Sequence, residues 1–306
     1  MICVDASEVH YTWSAKHPPR VVVESGATVE VWTRDGFDGQ LNHPLRGGSD
    51  PVGHVDFNRV APLTGPISVR EALPGDTVAV SIVGMHPVGP GWSVIWPATM
   101  QAEFARPSSV GSGAHVHMFT DDELQLARVI VGPATIGLRP MLGMIGAAPA
   151  SGEYPTLPPC AFGGNLDIRL LGSGTTIYLP VFADGALVSF GDGHAVQGDG
   201  EVCSTGLECA MRSVVRLAVD RSRQVVEPEI ATDDIYAVTA FGDSLDEAAA
   251  KATAYLHRRL VDTGHMSATD AYVLMSLAGR LVVNQVVDIP HVGVRFELPR
   301  TVLDLT

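Results

Sequence analysis

Up to about residue 240, the chain alternates between short apolar runs and breaks rich in glycine and proline. The runs are RVVVE (20–24), TVEVWT (28–33), DTVAVSIV (76–83), TTIYL (175–179), SVVRLAV (213–219) and IYAVTAFG (235–242). Valine, isoleucine and threonine bounded by turn residues are typical of β-strands. Together with 32 glycines and 21 prolines, the pattern predicts a sandwich or barrel of many short strands.

A helical period replaces this pattern near the C-terminus. Ser244 and Glu247 form a capping box ahead of a run in which every third or fourth residue is apolar. The predicted buried face consists of Leu245, Ala249, Ala252, Leu256 and Leu260. Gly264 is the predicted end of this helix.

A second helix is predicted from Ser267 or Thr269 to Gly279, followed by RLVVNQVVD (280–288) as a buried strand. We therefore predict a mainly β fold with a minor α+β part, organised as a single unit over residues 1–306. Its β-rich body extends to about residue 240, and a helix–helix–strand element covers about 241–306.

Composition and charge narrow the functional classes. The 306 residues are 46% hydrophobic and 18% charged, which excludes a disordered chain, and no apolar run reaches the ~20 residues of a membrane span. A net charge of −14 disfavours binding to nucleic acid. The opening MICVDASEVH has acidic residues where a signal peptide needs basic and apolar ones, which predicts a cytoplasmic protein.

The segment FGDGHAVQGDGE (190–201) carries the strongest candidate chemistry. If both of its arms are extended around an AVQG turn, Asp192 lies beside His194 and Asp199 beside Glu201, because residues two apart share a face. Imidazole with carboxylates suits zinc, whereas an all-oxygen set suits calcium. The alternative is a solvated glycine-rich turn without any ligand.

The neighbouring sequence favours the metal interpretation. GGNLD (163–167) places Asn165 and Asp167 two apart, and the run TTIYLPVFADGALVSF (175–190) that leads to the acidic segment contains no basic residue. These acids therefore lack a cationic partner within this region. HVH (115–117) has a spacing found in metal sites, but a surface strand is the preferred interpretation there.

The run GGNLDIRLLGSGTTIYLPVFADGALVSFGDGHAVQGDGEV (163–202) resembles the hallmark of the acetamidase/formamidase family. Segments that resemble the family in the same order lie at 17–41, 59–82, 139–150, 244–252 and 276–288. The resemblance implies a jelly-roll-like β-sandwich with additional strands, a homodimer or larger homo-oligomer, and a divalent metal, zinc by preference or calcium. It also implies that a metal-activated water hydrolyses a short aliphatic amide such as formamide or acetamide to the acid and ammonia.

The resemblance also suggests individual roles. Asp167, Asp192 and His194 are the expected metal ligands, Glu201 the general base, and Asp199 the residue that orients it. The expected contacts to the amide substrate are Asp38, Gln40, Asn165, Gln197 and Gln285.

Other mechanisms and functions remain as alternatives. Amidase triads that use a buried lysine are disfavoured because Lys16 and Lys251 are the only lysines and neither is suitably placed. A second hypothesis is a non-catalytic β protein that binds a small molecule or calcium. A third is a family member that hydrolyses a lactam or another amide.

Overall fold

The computed structural model describes residues 1–41, 55–95, 110, 128–263 and 265–303. The first strands in this part of the chain are β1 (Ile2–Val4), β2 (Thr12–Trp13), β3 (Val21–Val23), β4 (Ala27–Thr33), β5 (Leu63–Val69), β6 (Thr77–Trp92), β7 (Arg128–Val131), β8 (Ala134–Gly137) and β9 (Met141–Gly146). They are followed by β10 (Tyr154–Pro155), β11 (Gly163–Asn165), β12 (Thr176–Pro180), β13 (Val188–His194), β14 (Glu208–Asp220), β15 (Glu229–Ala231), β16 (Ile235–Gly242), β17 (Arg280–Gln285) and β18 (Val292–Pro299). The helices are α1 (Leu245–Asp262) and α2 (Ala268–Ala278), and a 3-10 turn covers Phe57–Arg59.

Fourteen of these strands form one mixed sheet. Its main path runs β11–β9–β13–β14–β6–β12–β15–β16–β18–β17, while β4 also pairs with β14 and β5 also pairs with β13. Only β1–β4 and β3–β5 are parallel among the described pairs of this sheet. Apolar side chains from β4, β6, β12 and β14 share one core with those from β5, β9 and β13. The predicted mainly β fold with two helices near the C-terminus is confirmed.

Strand β16 joins two hydrophobic cores. Ala237 belongs to the core of the β-rich body, whereas Tyr236, Val238 and Ala240 point to the opposite face and pack with the two helices. This alternation follows from the two-residue period of a strand. Because one strand belongs to both cores, we propose that the chain folds as a single unit.

The helices begin where the capping residues predict. Ser244 Oγ accepts a hydrogen bond from Glu247 N at 3.2 Å, and Ser267 caps α2 in the same way. The buried face of α1 consists of Ala248, Ala252, Tyr255, Leu256 and Leu260. Ala252, Leu256 and Leu260 were predicted on this face, whereas Ala248 and Tyr255 were not and Ala249 is absent from it. Gly264 lies outside the described residues.

Two further sequence expectations concern the C-terminal region. The strand predicted as buried is the edge strand β17, in which only Asn284 and Gln285 are fully buried. Neither described helix is both long and apolar enough to cross a membrane.

Candidate active site

Strand β13 positions the centre of the site. It is buried along its whole length and pairs with β9 on one edge and with β5 and β14 on the other. Asp192 and His194 are two apart on this strand, and Glu208 lies directly opposite His194 in the antiparallel register with β14. His194 Nε2 lies 3.1 Å from Asp192 Oδ2 and 3.0 Å from Glu208 Oε1. These three side chains form a compact group that is able to hold a metal ion.

A buried glutamine fixes the orientation of the imidazole. Gln197 Nε2 donates to the backbone oxygen of Asp167 at 2.8 Å, so its Oε1 faces His194 Nδ1 at 2.6 Å as an acceptor. Nδ1 must therefore carry the hydrogen. In the neutral ring, Nε2 then presents a lone pair between two carboxylates, and it has no polar partner besides these two among the described residues. Such an arrangement requires a cation at this position.

In the absence of a metal, a proton takes that position. Burial lowers the pKa of His194, but the charges of Glu208 and Asp192 outweigh this effect and hold the pKa well above its ordinary value. Burial and the charge of Asp192 raise the pKa of Glu208 to about 8. For Asp192, burial opposes ionisation, but the charge of His194 and hydrogen bonding keep its pKa low. The group therefore stabilises a positive charge near Nε2.

Three more carboxyl groups lie beside this group. Asp167 Oδ1 is 3.8 Å from His194 Nδ1, and Asp167 shares a hydrogen bond with Asp288. Burial and the charge of Asp192 raise the pKa of Asp167 to about 7. Burial, together with the charges of Asp167 and Asp288, raises the pKa of Glu201 well above its ordinary value. Carboxyl groups with raised pKa values hold their protons more readily and are suited to general acid–base chemistry.

Close backbone approach makes room for this concentration of acids. A Cβ at Gly36 would lie 2.5 Å from Asp192 Oδ1 and 2.9 Å from Glu208 Oε2, and one at Gly143 would lie 2.6 Å from Asp167 Oδ1. Any larger residue at these glycines would displace the carboxylates. Asp167, Asp192 and Glu201 themselves have φ values of 47°, 54° and 44°. Left-handed backbone at non-glycine residues is uncommon and is concentrated at functional sites.

The second arm of the predicted hairpin is not a strand. After β13 the chain forms turns, with a single parallel bridge between Gly200 and Gln285. The left-handed backbone at Glu201 makes its side chain diverge from that of Asp199. Glu201 lines the cavity, whereas Asp199 pairs with Arg169 Nε at 2.6 Å and with Arg295 Nη2 at 2.8 Å. The expectation that Asp199 and Glu201 share one face was therefore wrong.

The predicted substrate contacts are distributed between the cavity and its supports. Asn165 lines the cavity, and its Oδ1 has no partner among the described residues. Gln285 Oε1 accepts hydrogen bonds from Val287 N and Asp288 N at 2.8 and 3.0 Å, which holds the turn that carries Asp288. Gln197 supports His194 as described above. These two glutamines therefore position reactive groups.

Asp38 and Gln40 face away from this cavity. Asp38 is buried in contact with Tyr11, Arg34 and Arg59, with Arg34 Nη1 at 2.6 Å. Gln40 Oε1 accepts from Asp56 N at 2.7 Å. Both side chains connect the early loop to the segment before β5.

The cavity has a volume of about 250 Å³ and two chemically different sides. Its polar residues are Asn165, Asp167, Asp192, Glu201, Ser204, Thr205, Glu208 and Asp288. Its apolar residues are Phe37, Phe57, Val60, Ala61, Met144, Leu157, Val287 and Ile289.

The sequence and the fold match known proteins throughout. The model of the "Acetamidase/Formamidase family" matches residues 2–154 and 150–305. The chain belongs to this family. Among curated proteins, an acetamidase of Mycolicibacterium smegmatis is 26% identical over 63% of this chain and 61% of its own length. A formamidase of Methylophilus methylotrophus is 26% identical over 65% of this chain and 60% of its own length.

The chain thus spans about three fifths of the length of these two curated members of the acetamidase/formamidase family. Solved structures of the family match more completely. An acetamidase from Bacillus halodurans has 31% identity and a TM-score of 0.90, with 98% of each chain covered. A predicted acetamidase/formamidase from Thermoanaerobacter tengcongensis has 30% identity and a TM-score of 0.89, with 99% of this chain and 96% of that chain covered.

Sequence reasoning missed two acids of this acetamidase/formamidase site. Glu208 begins the apolar strand β14, and Asp288 ends the segment VNQVVD. In both places an acidic residue interrupts an otherwise apolar stretch, which was the available signal. The HVH segment at 115–117 lies outside the described residues.

Proposed function

We propose that this protein hydrolyses short aliphatic primary amides to a carboxylic acid and ammonia with the help of a divalent metal ion. Family membership and relatives named acetamidase and formamidase support the reaction class. The observation that carries the proposal is the buried Nε2 of His194. It lies between two carboxylates at 3.1 and 3.0 Å and has no other polar partner in the described part of the chain.

The donor atoms fit a metal ion. Asp192, His194 and Glu208 would hold it, and Glu208 is added to the ligands that we predicted from the sequence. The third predicted ligand, Asp167, forms a second group with His194 and Glu201 that is also able to hold an ion. One imidazole and two carboxylates suit zinc, while calcium prefers oxygen ligands alone. A bound ion of this kind polarises a carbonyl oxygen and lowers the pKa of a water molecule toward ~7.

The remaining polar residues of the cavity supply orientation and proton transfer. Asn165 Oδ1 is buried and unpartnered among the described residues, so it can accept a hydrogen bond from the amide NH₂ of a substrate. Amide hydrolysis needs one proton removed from water and one delivered to the departing nitrogen. We assign this transfer to Glu201, which lines the cavity and whose pKa is raised well above its ordinary value by burial and by the charges of Asp167 and Asp288. The neighbouring Asp167 and Asp288, which share a hydrogen bond, favour the protonated form of Glu201.

Metal analysis and ammonia release test the proposal together. The purified protein is expected to contain about one divalent ion per chain of the kind that these ligands prefer. It should release ammonia from formamide or acetamide, lose the activity with chelator, and regain it with zinc. Glu201→Gln should keep the ion and lose activity by on the order of a hundred- to ten-thousandfold, which is the usual contribution of a general base.

Two outcomes would contradict the proposal in different ways. A protein that binds calcium tightly and releases no ammonia from any short amide would favour the non-catalytic alternative. A Glu201→Gln variant with full metal content and unchanged rates would overturn the role of Glu201 alone. Glu153→Gln, on the exposed surface, is the matched control.

Self-association is a further part of the proposal. The edge strand β17 and helix α2 expose Tyr272, Leu277 and Leu281. Apolar side chains at an open sheet edge favour pairing with another chain. We expect a homodimer or larger homo-oligomer, to be checked by light scattering after size-exclusion chromatography. A cytoplasmic location stays a prediction from the sequence, to be checked by cell fractionation.

A further inference from the structure

The apolar side of the cavity is larger than a formyl or acetyl group requires. The cavity of about 250 Å³ exceeds the ~150 Å³ of an engineered apolar cavity that is large enough to bind benzene. Benzene is itself larger than acetamide. A substrate that fills this site is therefore larger than acetamide.

The apolar residues of the cavity wall come from separate parts of the chain. Val60, Ala61 and Met144 are almost completely buried and form the inner part of the apolar side. Phe57 and Leu157 lie further out. The acids line the same cavity, so a molecule that fills it meets both carboxyl groups and hydrocarbon.

The outer residues are unusually exposed for their type. Phe57, Leu157 and Ile289 are 43%, 44% and 60% exposed, although they line the same cavity from three distant segments of the chain. Clustered exposed apolar side chains around a cavity indicate a surface that a ligand covers. Because the polar side of the same cavity holds the proposed reaction centre, the ligand must present an amide to the acids and hydrocarbon to these residues.

We infer that the preferred substrates are primary amides whose acyl group is apolar and has about four to six carbons. This inference rests on the proposed amide hydrolysis and specifies its substrate class. Phe57, Val60, Leu157 and Ile289 bind the acyl chain, while Asn165 orients the carboxamide. Burial of each additional methylene group favours the longer amide by roughly fourfold in kcat/KM. Pentanamide, with three more methylene groups, should therefore exceed acetamide by roughly sixtyfold.

The test compares acetamide, butanamide, pentanamide and benzamide by ammonia release from the metal-loaded protein. A rise in kcat/KM from acetamide to pentanamide supports the inference. Leu157→Ala should then reduce the ratio of pentanamide to acetamide by roughly three- to tenfold, because part of the wall is removed. Leu73→Ala is the matched control, since Leu73 is 55% exposed and does not line the cavity. It should leave the ratio unchanged.

A binding measurement separates this inference from the proposed function. Titration calorimetry compares acetate with pentanoate, the two product carboxylates, on the same protein. If no amide is hydrolysed but pentanoate binds more tightly and Leu157→Ala removes the difference, the hydrolysis is wrong and the apolar site stands. If ammonia is released fastest from formamide or acetamide and acetate binds as well as pentanoate, the acyl site is wrong and the hydrolysis stands.

Discussion

Two buried groups of charged side chains lie in this molecule, and they are balanced in opposite ways. Around β15, Glu229 is fully buried and contacts Arg223 Nη1 at 2.8 Å and Arg259 Nε at 2.9 Å. Tyr255 also donates to Glu229 Oε1 at 2.6 Å. The negative charge of Glu229 is therefore balanced by side chains of the protein itself.

The candidate site has acids without such partners. Asp167, Asp192, Glu201, Glu208 and Asp288 line one cavity, and His194 is the single basic side chain paired with them among the described ion pairs. A buried carboxylate needs either a cationic partner or a proton. The group at Glu229 has its cationic partners within the fold, and this pairing stabilises the folded protein. The group at Glu208 has a single imidazole, that of His194, for its several carboxyl groups among the described ion pairs, which leaves it suited to an external cation.

The largest expected effect is on metal binding at the unbalanced group. Glu208→Gln replaces a charged ligand by a neutral amide in almost the same shape, so the ion should be lost. Loss of metal assistance, which is worth several kcal/mol, should lower kcat/KM on a short amide by on the order of a thousandfold. Elemental analysis and ammonia release measure both. Full metal content with wild-type rates would show that Glu208 is not a ligand.

A glutamate-to-glutamine substitution in the balanced group, at Glu229, should affect the stability of the fold. Glu229→Gln leaves Arg223 and Arg259 without a buried anion, and we expect it to lower the free energy of unfolding by about 3 kcal/mol. Glu208→Gln in metal-free protein should lower it much less, because a carboxyl group with a pKa of about 8 is already largely neutral near neutral pH and the Gly206 N–H still has an oxygen acceptor. Urea unfolding with chelator measures both variants. Equal losses would remove the distinction between the two groups.

A smaller effect is expected at the residue that orients the metal ligand. Gln197→Leu removes the acceptor for His194 Nδ1, and loss of such a support typically weakens metal binding by about 10- to 100-fold. Gln197→Glu keeps an acceptor and should retain most of the affinity. Competition with a chromophoric chelator gives the dissociation constants. A similar loss in both variants would indicate that Gln197 acts only through packing.

The smallest expected effect is on pH dependence. The pKa values of Asp167 and Glu208 are raised to about 7 and about 8, so the folded metal-free protein holds protons that the unfolded chain releases near pH ~4. The stability that these protons maintain is fully present below pH ~4, declines as the pH rises above that value, and is lost once the pH has passed through about 7 to 8. Metal affinity should rise across the same window, up to tenfold per pH unit for each proton displaced. Titrations at several pH values measure this, and a flat profile would contradict proton displacement.

Much of the fold was predictable because its signals are local. The six predicted apolar runs coincide with strands, and the capping residues Ser244 and Ser267 begin the helices where predicted. The placement of Asp192 beside His194 followed from the two-residue period of β13. The prediction failed at Asp199 because it assumed an extended arm, whereas the backbone at Glu201 is left-handed.

The sequence by itself determined which segments are extended, which are helical, and which one concentrates acids around a histidine. The tertiary structure alone decided which acids meet. Glu208 reaches His194 through the antiparallel register of β13 with β14, and Asp288 arrives from the turn after β17. Periodicity and capping depend on neighbours a few residues apart, whereas register depends on pairing between distant strands. For this reason the metal-binding group became complete only when the strands were assembled.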